Sequence, residues 1–291
     1  MKVSYYPGCS LETTAKPYHH STRAVCQALG VDLAEVPQWF CCGSSPALKM
    51  DRRLSVTLAA ANLALAQQQE LGQIVAPCPF CYRRLLTAQQ ELQAEPKLRD
   101  EVEEVLERQL QPEYKVHHLL GFLLEEVGLA TIRARVKKPL TGLKVVPYYG
   151  CYLVKPGQIV GFDDPEDPSS LDQLLLTLGA QVLPWDFKTE CCGASLAVSQ
   201  PQVTLTLTGR LLKEAAYHSA DAIVVVCQLC QANLDLQQRR IEKQHHTRYN
   251  LPIIYFTQLL GVALGLSPKD LGLQQHLTDP LGRLEAKGLA S

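Results

Sequence analysis

The sequence predicts an α/β protein built from two tandem copies of one cysteine-rich domain. Each copy is read as a small, mainly parallel sheet covered by helices, and the two are related by a pseudo-two-fold. Three observations predict this. The chain has 291 residues, which is long for one domain and comfortable for two. All but one of its 11 cysteines fall into two sets in the same order, Cys, Cys-Cys-Gly, Cys-x-x-Cys, the mark of an internal duplication. Short apolar runs alternate with helix-length stretches in each half, as in a parallel sheet with covering helices.

In chain order, Lys2–Tyr6 reads as a strand that stops at Gly8 and delivers Cys9 into a loop. Ala47–Leu71 has helical length and spacing, Ile74–Ala76 is a compact buried strand running into Cys78-x-x-Cys81, and Tyr82–Ala94 continues as a helix. The second half repeats the series. Lys144–Tyr149 leads to Gly150 and Cys151, Leu196–Ala220 is the long helix, Ala222–Val226 runs into Cys227-x-x-Cys230, and Gln231–Gln244 follows as a helix. Tyr5-Tyr6-Pro7-Gly8-Cys9 parallels Tyr148-Tyr149-Gly150-Cys151, Lys16-Pro17 parallels Lys155-Pro156, and Leu119-Leu120-Gly121 is matched with Leu259-Leu260-Gly261. The basic, proline- and glycine-bearing segment around Pro139–Leu143 places the boundary, giving domains 1–140 and 141–291. Sites in such sheets gather at the carboxyl ends of strands, which is where the cysteines fall.

The composition is 46% hydrophobic and 20% charged with net charge -1. That is ordinary for a globular protein and gives nucleic acid no basic surface to bind. Met1-Lys2-Val3-Ser4-Tyr5 lacks the apolar stretch of a secretory signal, and no apolar run reaches the length of a membrane helix. The expectation is a cytoplasmic protein without a transmembrane segment, touching a membrane only as a peripheral part of a complex.

In a reducing compartment this many cysteines point to metal ligation or redox chemistry rather than to disulfides. The spacings are Cys-x31-Cys-Cys-x35-Cys-x2-Cys and Cys-x39-Cys-Cys-x34-Cys-x2-Cys. Gly43 and Gly193 relieve the crowding after each adjacent pair. Zinc takes four thiolates tetrahedrally, which leaves a fifth surplus and asks adjacent cysteines to reach one ion. An iron–sulfur cluster presents several irons to adjacent sulfurs. Five thiolates then imply either an opened cluster or a cubane beside a free redox thiol, and the spacing leaves both open. Helix-start amides, with Lys16 and Lys155, are candidate donors to the anionic load.

The two Cys-x(n)-Cys-Cys-Gly-x(n)-Cys-x-x-Cys copies resemble the cysteine-rich CCG domain of the heterodisulfide reductase B-subunit family, over essentially the whole chain. The resemblance implies an oxidoreductase subunit with two [4Fe-4S] clusters of noncubane type that reduce or form a disulfide. Carried over, Cys9, Cys41, Cys42, Cys78 and Cys81 ligate one cluster, and Cys151, Cys191, Cys192, Cys227 and Cys230 the other. Electrons would come from a ferredoxin-like iron–sulfur or flavoprotein subunit. The same domain occurs in lactate and glycolate oxidase subunits, in sulfur-oxidation complexes, and in the third subunit of a nonclassical succinate dehydrogenase. The alternative is therefore an electron-transfer and membrane-docking subunit that exchanges electrons with quinone. Leu119–Leu129 and Phe256–Leu266 are apolar enough to touch a membrane or partner, although core packing is the commoner explanation of such segments.

Other features carry less. Cys26 has no counterpart and reads as a small buried hydrophobe. The doublets His19-His20, His117-His118 and His245-His246 read as solvent-facing. Tyr6 and Tyr149 flank the first cysteine of each half, as packing residues or as walls of a substrate cleft. Asp163–Asp167 is an acidic insertion that either repels acidic partners or solvates a turn. No phosphate loop, dinucleotide fingerprint or hydrolase triad is present.

Overall fold

A computed structural model describes residues 1–44, 46–111 and 113–290. Their strands form two four-stranded sheets in which every pairing is parallel. Strands β1 (Lys2–Tyr5), β2 (Asp32–Glu35), β3 (Gln73–Ala76) and β4 (Lys115–His118) lie in the order β2-β1-β3-β4. Strands β5 (Lys144–Tyr148), β6 (Gln181–Val182), β7 (Ala222–Val225) and β8 (Ile253–Tyr255) repeat it as β6-β5-β7-β8. The central strands are those read from the sequence. A parallel strand covered on both faces is a continuous apolar run, and β7 is buried throughout. Outer strands β2 and β6 carry no such signal, since Asp32-Leu33-Ala34-Glu35 has an acid at each end and Gln181–Val182 is two residues long. Pairing with an apolar neighbour makes them strands.

The helices depart from the expected spans for local reasons. The stretch 47–71 is two helices, Pro46–Met50 and Arg52–Gln67, because Asp51 turns extended and its carboxylate caps the second by accepting from Leu54 N at 2.7 Å. Its counterpart starts only at Pro201 and runs to Tyr217, since proline suits a first helical turn and not an interior. The helices after the paired cysteines start earlier than expected, at Pro79 and Gln228, directly behind Cys78 and Cys227.

The halves embrace reciprocally. Helix Phe256–Ala263, after β8, packs on helix Lys16–Ala28 of the first half, and helix Leu119–Phe122, after β4, packs on Ser170–Thr177 of the second. Tyr18 sits where they meet, stacked on Tyr255 with ring centroids 4.4 Å apart and edge-on to Phe256 at 6.1 Å. The segment before β5 is bonded into the second half, Lys137 N to Ala263 O and Leu140 N to Leu178 O.

Two expectations are corrected here. The apolar segments weighed as membrane contacts are mostly interior, with residues 119–123 and 256–264 buried and only their ends, 124–129 and 265–266, part-exposed. No helix among the described residues is long and apolar enough to cross a membrane. The Leu-Leu-Gly match is also out of step. Strand pairing sets His118 beside Ala76 and Tyr255 beside Val225, so Leu259-Leu260-Gly261 enters its helix about one turn later than Leu119-Leu120-Gly121.

Candidate functional site

In each sheet the chain order reverses between β1 and β3, or β5 and β7, and ligands of open parallel sheets collect outside the strand ends at such a point. Cys9 and Cys78 follow β1 and β3, and Cys151 and Cys227 follow β5 and β7. Cys78 is itself the N-cap of helix Pro79–Ala94, its sulfur accepting from Cys81 N at 3.4 Å. The positive end of that helix therefore faces the sulfurs.

The other cysteines are brought in by two devices repeated in both halves. Gly8 (φ 74, ψ 158) and Gly150 (φ 67, ψ 175) hold a backbone conformation open essentially to glycine alone. A Cβ there would stand 2.8 Å from Cys81 Sγ or 3.0 Å from Cys230 Sγ. A tyrosine then anchors the adjacent pair: Tyr6 donates to Phe40 O at 2.5 Å and Tyr148 to Glu190 O at 2.7 Å, each the carbonyl just before Cys-Cys. The counterpart of Tyr6 is thus Tyr148 and not Tyr149. Tyr6 is a packing residue set against Trp39, whereas Tyr149 lines the second site and is tied to Asp172. After each pair a glycine at positive φ, Gly43 or Gly193, turns its N–H back toward the preceding sulfurs, Gly193 N reaching Cys191 Sγ at 3.3 Å.

The result is one pattern twice. Cys41 and Cys191 are exposed, while Cys42, Cys78 and Cys81, and Cys192, Cys227 and Cys230, are buried. Cys9 is exposed and Cys151 half-buried. Cys42 and Cys81 sulfurs are 3.7 Å apart, and those of Cys192 and Cys230 3.6 Å. All five cysteines of the second set line a single cavity of about 380 Å³, together with Lys49, Pro79 and Phe80 from the first half. Phe80 stacks on Tyr152 there, centroids 3.9 Å apart.

Thiols this close share protons. Hydrogen bonds from Cys41 and Cys81 draw Cys42 down to about 3, while Cys41 and Cys81 keep their protons and are pushed up. Burial opposes ionisation at Cys78, but bonds from Cys81 and Gln228 leave it lowered. In the second half Cys151 lowers Cys191 to about 6, and Cys230 lowers Cys192. Since the thiolate is the nucleophile, iodoacetamide at pH 7 is expected to label exposed Cys191 on the order of tenfold faster than exposed Cys41 in metal-free protein. The advantage should fade as pH falls through about 6, and peptide mass mapping reads both.

Several contributors escaped the sequence reading. Tyr18 OH bonds both Pro77 O (3.2 Å) and Val226 O (3.1 Å), the carbonyls before Cys78 and Cys227, so one phenol joins the two Cys-x-x-Cys turns. His118, expected at the surface, is buried, lowered to about 3 by burial, and holds Pro77 O through Nε2 at 2.8 Å. His20, His245 and His246 are exposed as expected. Among the described residues neither lysine candidate is bonded to a sulfur: Lys16 is exposed and Lys155 Nζ lies on Glu166 at 3.3 Å. Arg84 was not singled out, yet it is 3% exposed with Nε and Nη2 unpartnered among the described residues, and its charge favours the Cys42 thiolate. Cys26 is buried away from both sets on helix Lys16–Ala28, its thiol pushed up to about 12 by burial. In the insertion, Asp163 and Asp164 accept backbone N–H groups of their own turn.

The donor set suits a bulky anionic sulfur-ligated group. Five sulfurs face one space in the second half, and a buried guanidinium beside the first set has Nε and Nη2 unpartnered among the described residues. Among the described residues no three of His, Cys, Asp or Glu are arranged to hold a single metal ion.

The cysteine-rich domain family matches residues 3–85 and 145–235. The 8-methylmenaquinol:fumarate reductase membrane anchor subunit of Wolinella succinogenes is 33% identical over 281 residues, 96% of this chain and 97% of that protein. The B subunit of the ferredoxin/F420H2-dependent CoB-CoM heterodisulfide reductase of Methanosarcina acetivorans is 31% identical over 94% of this chain and 93% of its own length. A hypothetical protein from Helicobacter pylori, known from a crystal structure, shares the fold with a TM-score of 0.77 at 14% identity, over 96% of this chain and 52% of that one.

Proposed function

The chain belongs to the cysteine-rich CCG domain family, as an iron–sulfur electron-transfer subunit of the kind represented by the heterodisulfide reductase B subunits, and from that premise we propose that it exchanges electron pairs with a disulfide. Cys9, Cys41, Cys42, Cys78 and Cys81 would hold one noncubane four-iron cluster, and Cys151, Cys191, Cys192, Cys227 and Cys230 a second. When bound, the clusters supply one-electron steps at two neighbouring centres. A disulfide takes up two electrons and two protons to become two thiols.

The observation that carries this reading is the Tyr18 hydroxyl bonded to the carbonyls before both Cys78 and Cys227. It supports two sites acting as a pair rather than as separate relays. The chain's own residues do the positioning. Buried Cys42, Cys78 and Cys81 exclude water from one side of the first site, and exposed Cys9 and Cys41 leave the other open to a soluble thiol compound. A ferredoxin-like or flavoprotein subunit would supply the electrons.

A second reading, favoured by the similarity to a menaquinol:fumarate reductase anchor subunit, replaces the disulfide by a quinone. Anaerobic reconstitution tests both. About eight irons per chain with no zinc is the expected content. Stopped-flow reoxidation of the reduced protein by a soluble aliphatic disulfide, against a water-soluble naphthoquinone, then separates the acceptors. Oxidation by the naphthoquinone alone would select the second reading, and zinc without iron would sink both.

A further inference from the structure

The ten ligands repeat, but the groups around them do not. Aligning Cys78 with Cys227 pairs Pro79 with Gln228 and Arg84 with Asn233. Gln228 is 3% exposed and crosses between the halves, its Nε2 donating to Cys78 Sγ at 2.8 Å. Its Oε1 has no partner among the described residues, so the sulfur is the amide's one hydrogen-bond partner there. The reciprocal donation toward Cys227 is impossible, because Pro79 lines the second cavity with a side chain that has no N–H.

The second pair differs in the same sense. Asn233 spends its Nδ2 on Cys192 O at 2.6 Å and Thr208 Oγ1 at 2.9 Å, inside its own half. Arg84, one turn beyond Cys81, keeps a buried positive charge with Nε and Nη2 unengaged. Lys49 does line the second cavity, but it is exposed and water screens it.

Hydrogen bonds to ligating sulfur, and positive charge near it, stabilise the more negative, reduced state of an iron–sulfur centre. In a buried setting that charge is felt with little dielectric loss. We propose that Gln228 and Arg84 make the first site the stronger electron acceptor of the pair, so that an electron entering the chain settles among Cys9, Cys41, Cys42, Cys78 and Cys81. The proposal rests on the reading that both halves hold iron–sulfur clusters. Gln228 and Arg84 act through the sulfurs and are positioning residues. The second half thereby tunes the first through a side chain that the first half cannot return.

The test is a redox titration of the anaerobically reconstituted full chain, followed by electron paramagnetic resonance, with iron content measured on each sample. The wild type should titrate in two steps that differ at least tenfold in electron affinity, about 59 mV for a one-electron couple. Gln228→Leu and Arg84→Gln should each lower the higher step about tenfold and leave the lower in place, with Arg84→Lys restoring part of the loss. Pro79→Gln, which returns a donor toward Cys227, should raise the lower step and narrow the gap. Coincident steps in iron-loaded wild type would overturn the proposal, as would a higher step unmoved by Gln228→Leu together with a lower step unmoved by Pro79→Gln. A chain that takes up no iron would instead remove the underlying reading. The Pro79 and Gln228 variants keep the test decisive if Arg84→Gln does not fold.

Discussion

Alanine at position 8 is expected to empty the first site and leave the second loaded, halving the iron of the reconstituted protein. Two independent penalties act at one atom. Gly8 sits at φ 74, ψ 158, a region where a side chain costs about 1–3 kcal/mol. The new Cβ would also stand 2.8 Å from Cys81 Sγ, a buried sulfur packed 3.7 Å from Cys42. Relief requires moving either the β1 turn that carries Cys9 or the helix start that carries Cys81, and each displaces a proposed ligand. Gly150→Ala should do the same to the second site, with its Cβ 3.0 Å from Cys230 Sγ at φ 67. Iron and sulfide per chain, measured with circular dichroism on the same samples, check both. Full iron in Gly8→Ala would show that Cys9 and Cys81 do not close on one group.

The other large effect concerns Phe256. If its segment were a docking surface, truncation would weaken membrane or partner binding and leave stability alone. The structure buries Phe256 completely, edge-on to Tyr18 at a centroid distance of 6.1 Å, in the helix that packs on Lys16–Ala28. Phe256→Ala should therefore cost about 3–5 kcal/mol in denaturant unfolding, and because the contact joins the halves it should loosen both sites together. Leu277→Ala, at a half-exposed position, is the control and should change stability by less than about 0.5 kcal/mol. Equal midpoints for the two variants would return the segment to the surface.

Both predictions depend on residues whose roles were unequally legible. Glycine before the first cysteine can be read from sequence, because the strand must stop there in both halves. Which tyrosine is equivalent cannot. Pro7 has no match in Tyr148-Tyr149-Gly150, and only the paired hydrogen bonds to Phe40 O and Glu190 O identify Tyr6 with Tyr148. The contrast between Cys-Pro-Phe-Cys and Cys-Gln-Leu-Cys was visible from the start, but it gains meaning only when Gln228 is seen to reach Cys78 of the other half. Arg84 falls in the same class, since a surface arginine and a buried unpaired one are the same letter.

The sequence by itself determined the duplication, the central strands β1, β3, β5 and β7, and the clustering of two cysteine sets at their carboxyl ends. Those features rest on local regularities, namely repeated spacing, apolar runs and glycine stops, and each is written within a few residues. Tertiary structure alone decided outer strands β2 and β6, the burial of His118 and of helix Phe256–Ala263, and the crossing of Tyr18 and Gln228 between the halves. These depend on which distant surfaces meet. A short polar strand such as Asp32–Glu35 exists through its neighbour's hydrogen bonds, and Gln228 becomes a sulfur ligand's partner because two similar domains close with Cys78 on one side and Pro79 facing the other.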